Sequence, residues 1–247
     1  MAYRHTLPGI HRLGHAHVNL YLVVDDDGVT VVDTGLPATW PLLLRALRKV
    51  GAEPEQVRAV VLTHAHFDHL GLAARLRGQW RLPVWAHPEE FFVAAHPSQY
   101  QHENSRLWYP LRHPGGIPIL TGMVAAGALT VDGVTDLSPL TPGEVLDVPG
   151  RPRIVFTPGH TFGHCALHLP EHDAVITGDA LVTLDPYTGV EGPQIVSGAA
   201  TADSARALES LEALAATRAA VVFPGHGRPW RDGVLSAVEQ AAAAGPS

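Results

Sequence analysis

The sequence predicts a layered α/β fold, and two observations predict it. Apolar runs of strand length alternate with segments whose apolar residues repeat at helical spacing, and several of those runs end in a glycine-flanked histidine or aspartate. With 247 residues, 46% of them hydrophobic and 17% charged, the chain can bury one large core. A single domain over residues 1–247 is therefore expected.

The elements follow in order. Residues 10–35 read as a strand meander: residues 9–13, then 18–24, then 29–32, with Asp25-Asp26-Asp27-Gly28 as the hairpin turn. Trp40, Leu43, Leu44 and Leu47 then mark a helix, with Pro41 in its first turn and Gly51 closing it. A strand at 59–62, a helix at 68–77, a strand at 82–86 and a helix at about 88–95 continue the alternation. Residues 96–135 interrupt it as an inserted helical and loop segment, punctuated by proline and glycine yet carrying Tyr100, Leu107, Trp108, Tyr109, Ile119 and Met123. Such a connection is a lid, a contact for a homodimer, or a helical pair packed on the core. Strands are expected again at 145–148, 153–157, 165–169, 174–177 and 220–223, with helices at about 202–216 and 233–243.

Composition excludes several functions. A net charge of -7 without a Lys/Arg cluster gives no general attraction to nucleic acid. No apolar run reaches the 18 or so residues of a membrane helix, and residues 1–5 lack the apolar core of a secretory signal, so no membrane partner and a cytoplasmic location are expected. One cysteine, Cys165, rules out an internal disulfide.

The chemistry concentrates in Thr63-His64-Ala65-His66-Phe67-Asp68-His69, directly behind the run Ala59-Val60-Val61-Leu62. Imidazole and carboxylate are the side chains that hold zinc and its neighbours, and a strand end aims several of them inward from a rigid base. Asp68 also suits the first turn of the helix that follows. Three more polar groups follow apolar runs: His160 in Thr157-Pro158-Gly159-His160, Asp179 in Gly178-Asp179, and His226 in Pro224-Gly225-His226-Gly227. Strand ends of an open sheet converge on one edge, which brings these groups towards a common site. His15 and His17, another His-x-His on one strand face, have no carboxylate nearby and read as surface or rim residues.

In that order, with Val31-Val32-Asp33-Thr34-Gly35 before them, these motifs resemble the metallo-β-lactamase superfamily from about residue 19 to residue 227. The resemblance implies a four-layer αββα sandwich with two divalent metal ions on its upper edge, zinc foremost, with iron or manganese as alternatives. It implies that His64, His66 and His160 hold the first metal and Asp68, His69 and His226 the second, with Asp179 shared. His164 is then left as a buried histidine bonded to backbone, and Asp33 as the residue that steadies a ligand. Two cations about 3.5 to 4 Å apart would ionise a shared water near neutral pH, giving a bridging hydroxide that attacks a polarised carbonyl. Asp68 would orient it and pass its proton to the leaving group.

The expected activity is hydrolysis of an ester-like bond in a small acyl compound, a thioester, a lactone or a relative. A β-lactam hydrolase, and a non-haem iron oxygenase of the same fold, are the alternatives. Asp179 stands where β-lactamases of the superfamily have cysteine or serine, and residues 184–192 lack the basic groups of a glutathione site. Tyr187 and the aromatic stretch 100–109 are candidate substrate contacts.

Overall fold

The computed structural model describes residues 2–106 and 109–247, so the expected aromatic contacts at Leu107 and Trp108 lie outside the described residues. The chain builds two sheets. The first contains β1 (Ala2–Leu7), β2 (Ile10–His15), β3 (Val18–Asp25), β4 (Gly28–Val32), β5 (Val57–Val61), β6 (Val84–Ala86) and β7 (Ser138–Pro139) in that spatial order. β1 to β4 are antiparallel neighbours, and β4 to β7 run parallel. The second half supplies β8 (Arg153–Phe156), β9 (Cys165–Leu169), β10 (Ala174–Gly178), the short pair β11 (Val182–Leu184) and β12 (Glu191–Gln194), and β13 (Val221–Pro224). Its main sheet has the order β13-β10-β9-β8.

Period-two side-chain alternation turns these sheets into four layers. Leu20, Leu22 and Val31 face outward onto α1 (Trp40–Lys49), which buries Leu42, Leu43, Ala46 and Leu47; of the stripe read from the sequence, Leu43 and Leu47 are buried and Trp40 and Leu44 half-buried. Tyr21, Val23, Val32 and Val61 face the other way, onto Ile154, Leu167, Ile176 and Phe223 of the second sheet. The far side of that sheet, through Ala166, Val175 and Val222, is covered by the two C-terminal helices, Ser204–Ala215 and Val234–Ala244. Helix, sheet, sheet, helix is the αββα sandwich. Among the described residues no helix is long and apolar enough to cross a membrane.

Several expectations need correction. The helix expected over 68–77 is two, α2 (Phe67–Leu70) and α3 (Ala73–Trp80). Thr34 explains the break: its N–H and hydroxyl both donate to the His69 carbonyl, at 2.7 and 2.8 Å, taking the acceptor that a continuous helix would use four residues on. Gly71 lies against Gly35 and Leu36, where any Cβ would strike backbone. Residues 145–148 form no strand, only an isolated bridge from Val145 to Arg153, because Pro149 and Pro152 have no N–H to extend a ladder. β1, β7, β11 and β12 were not expected. His15 and His17 do not share a strand face: Ala16 and His17 are the two-residue turn between β2 and β3, with φ of 50° and 65°.

The segment 96–135 carries α5 (Tyr109–Arg112) and α6 (Ile117–Ala125), after α4 (Phe91–Ala95). Tyr100 and Tyr109 pack with Tyr187 and Val196, and Ile119 and Met123 pack with Val18 and Leu36. Leu111 and Leu129 stay exposed.

Candidate metal centre

Every strand-end motif delivers its polar group to one place. β5 runs into His64, His66, Asp68 and His69; the loops after β8, β10 and β13 bring His160, Asp179 and His226. All seven side chains belong to residues no more than 5% exposed. Gly225 permits this crowding, since a Cβ there would collide with Asp179 and the His69 ring.

Three groups of donor atoms lie within 4.8 Å of one another: His64, His66 and His160; Asp68, His69 and His226; and His64, His69 and Asp179. Asp179 stands between the first two. Its Oδ2 is 3.5 Å from His160 Nε2 and 3.2 Å from His226 Nε2, and its Oδ1 is 3.4 Å from His69 Nε2. Asp68 Oδ2 is 3.2 Å from His226 Nε2.

The outward face of most rings is fixed by a named partner. His69 Nδ1 lies 2.9 Å from Asp33 Oδ2, and the Asp33 carboxylate also accepts from the Thr63 N–H at 2.8 Å. His64 Nδ1 meets the Thr63 hydroxyl at 3.1 Å, His160 Nδ1 meets that of Thr201 at 3.2 Å, and His226 Nδ1 lies 2.8 Å from the His17 carbonyl. Such bonds set the orientation of a ring and leave its other nitrogen as the donor. His66 differs: its Nδ1 faces His160 Nε2 at 2.9 Å, while its ring lies 4.0 Å from that of Tyr100.

Whether these residues suit a cation is testable on their unsatisfied atoms. His64 Nε2, His69 Nε2, His226 Nε2 and Asp179 Oδ1 are buried without a hydrogen-bond partner. Buried polar atoms are rarely left so, and here four of them point into one space. Imidazole nitrogen and carboxylate oxygen are the donors that divalent ions such as zinc and iron accept, so the set fits a metal.

Protonation tells the same story from the other side. Burial, reinforced by the neighbouring histidines, holds His64 and His66 well below the usual imidazole range. Burial also takes His160 down to about 3, against the pull of Asp179. Burial opposes protonation of His69 and His226 too, but there the carboxylates win: Asp179, Asp33 and Asp68 lift His69 to about 9, and Asp179 and Asp68 lift His226 well above its ordinary value. Burial disfavours the charged Asp68 and Asp179 as well, yet His69 and His226 hold Asp68 below and Asp179 well below the carboxylate norm. Asp68 and Asp179 therefore stay ionised, the form in which a carboxylate can serve a cation.

Three supporting residues escaped the sequence. Glu90, 1% exposed, accepts from the Ala65 N–H at 2.8 Å and the Gly163 N–H at 2.9 Å, joining the histidine turn to the His160 loop. Thr201 and the His17 carbonyl act on His160 and His226 as described; nothing in their sequence neighbourhoods distinguishes them. His164 lies outside the seven. Its Nε2 accepts the Asp179 N–H at 3.1 Å, its Nδ1 meets the Thr157 hydroxyl at 2.8 Å, and burial takes it down to about 3, so it steadies Asp179 as a neutral ring.

The cluster opens past Phe67, Tyr100, Met123 and Tyr187 into an apolar cavity of about 370 Å³. The Tyr100 and Tyr187 hydroxyls meet at 3.2 Å in that passage.

Over residues 13–226 the chain matches the family described as the metallo-beta-lactamase superfamily. It is similar to the probable metallo-hydrolase YflN of Bacillus subtilis (strain 168), 25% identical over 90% of this chain and 84% of the relative. It is also similar to the N-acyl homoserine lactonase AttM of Rhizobium johnstonii, 25% identical over 85% of this chain and 81% of the relative. Among solved structures, a metallo-beta-lactamase family protein of Thermus thermophilus superposes with a TM-score of 0.69 at 30% identity, covering 96% of this chain and 79% of that one. A family match that runs through all seven convergent donors, on the αββα frame that gathers them, makes this chain a member of the metallo-β-lactamase superfamily.

Proposed function

We infer that this protein is a hydrolase of ester-like bonds, acting on a thioester, a lactone or a related small acyl compound. The observation that carries the reading is the set of buried, unpartnered donor atoms opening onto an apolar cavity. His64, His66 and His160 would hold one divalent cation, Asp68, His69 and His226 a second, and Asp179 would face both, with zinc as the first choice of metal. When bound, the two ions would supply Lewis acidity and a water ionised near neutral pH.

The remaining work falls to the chain itself. Asp68, held as a carboxylate by His69 and His226, accepts a proton and returns it to the leaving group. Burial raises Tyr187 well above its ordinary value, so its hydroxyl stays a proton donor. Because Tyr100 and Tyr187 bond to each other, one of the two hydroxyl protons remains available to a substrate oxygen. Phe67 and Met123 give the space beside the cluster an apolar wall. The lactonase relative supports the substrate class.

The test is metal analysis followed by turnover against thioesters, lactones, β-lactams and phosphodiesters, with oxygen uptake measured in parallel. Two equivalents of metal and turnover of a thioester or lactone, abolished by Asp68→Asn, are expected. Oxygen consumption with bound iron and no hydrolysis would replace this reading with an oxygenase, and β-lactam turnover alone would move the substrate class.

A further inference from the structure

The cavity outside the metal cluster has one feature that an apolar acyl group does not explain. Its walls are apolar, formed by Leu120, Met123, Val124, Leu129 and Val131, and none of its lining residues is acidic. Among the described residues a single cation, Arg106, lines it with them. Arg106 forms no ion pair among the described residues, whereas Arg77 and Arg151 pair with Asp136 and Asp147. Its guanidinium is nevertheless held in place: Nε donates to the Ala199 carbonyl at 3.2 Å, and Cζ lies 4.1 Å from the centre of the Tyr100 ring. That leaves the terminal nitrogens without an acceptor among the described residues. A guanidinium fixed in this way beside apolar walls is prepared for a planar anion, which takes the fork of N–H groups in parallel.

The same tyrosine fixes the distance. The His66 ring centre lies 4.0 Å from the Tyr100 ring centre and the Arg106 guanidinium 4.1 Å from it, so guanidinium and His66 ring are no more than about 8 Å apart. That upper bound keeps Arg106 close to the cluster, so the chain joining a carbonyl there to a carboxylate at Arg106 is short. Resting on the hydrolase reading above, we propose that the substrate is an ester-like compound with a short apolar chain ending in a carboxylate, and that Arg106 in the cavity wall binds that carboxylate and sets specificity.

The experiment compares adipate with hexanoate, which share six carbons and differ in the second carboxylate. Binding to the metal-loaded protein is measured by calorimetry. Hydrolysis is measured in parallel with the mono-4-nitrophenyl ester of adipic acid and with 4-nitrophenyl hexanoate. Adipate is expected to bind about tenfold or more tightly than hexanoate, the range of a charge-assisted pair. Arg106→Gln should bring the two acids within about twofold, Arg106→Lys should keep part of the difference, and Arg112→Gln, at an exposed arginine of α5, should keep all of it. In the unaltered protein the difference should also narrow between about 0.05 M and about 0.5 M salt, a measurement that requires no variant to fold. Equal affinity for the two acids, or a preference that survives Arg106→Gln, overturns the proposal. An adipate preference without hydrolysis of either ester would sink the hydrolase reading and leave the carboxylate site standing. Hydrolysis of both esters without preference, together with equal affinities, would do the reverse.

Discussion

The two halves of the donor cluster are built from similar residues and behave as opposites. His64, His66 and His160 are all imidazole, and burial among one another keeps them neutral. Asp68, His69 and His226 include a carboxylate, lie beside Asp179, and hold protons on both rings instead. The first half presents neutral rings, while the second holds protons where a cation would sit. Neighbouring carboxylates, rather than depth, separate them, so their affinities for metal should depend differently on pH.

Asp179 is common to both halves, and Asp179→Asn is the strongest way to break the comparison. It should cost both sites metal and lower turnover by on the order of a thousandfold, about 4 kcal/mol of barrier. Metal content measured after gel filtration would check this; full occupancy of both sites would show that Asp179 is not shared. Asp33→Asn should act on one half alone, weakening metal binding by about 10- to 100-fold at the site of His69 and sparing the trio around His160.

Metal titration at two pH values sharpens the contrast further. A metal entering at His69 displaces a proton at any pH below about 9, so affinity there should rise up to about tenfold per pH unit for each proton released. The all-imidazole half, with His160 at about 3 and His64 and His66 well below their ordinary value, should be nearly flat over the same range. Identical slopes for the two sites would count against the assignment of protons.

The metal-free protein should record both signs in its stability. His69, raised to about 9 in the fold, stabilises fully below about pH 6.5 and loses that contribution as pH climbs through 9. His160 and His164, depressed to about 3, contribute fully above about 6.5 and lose it as pH falls towards 3. Thermal unfolding of the metal-free chain should therefore be most resistant near about pH 6.5, and metal should remove the alkaline decline. The smallest effect belongs to Thr201→Val, which leaves His160 in place without its hydroxyl partner and should change turnover only a few-fold.

Much of this centre was legible in sequence because its donors sit at strand ends, where short motifs and apolar runs coincide. His64 to His69 after β5 is the clearest case, and the α1 stripe is its counterpart in the core. What stayed hidden depends on contacts between distant segments. Thr34 breaks the helix after His69 from more than thirty residues away, and Glu90 is indistinguishable in sequence from the exposed Glu89 beside it. The turn at Ala16 and His17 carries no glycine or asparagine to announce its positive φ. Residues 145–148 have strand composition, but two prolines deny them a ladder.

The grip of the β2–β3 hairpin on the far end of the chain has a consequence for assembly. Asn19 and Tyr21 donate to the Pro224 carbonyl, and the His17 carbonyl lies against His226, so sequence positions about two hundred apart meet at the last donor. During synthesis the hairpin emerges early and must wait, exposed, until residues 224–226 have left the ribosome. The half of the cluster that needs His226 is accordingly completed last, and a nascent chain stalled before residue 226 would have only the trio of His64, His66 and His160 and a loose clasp.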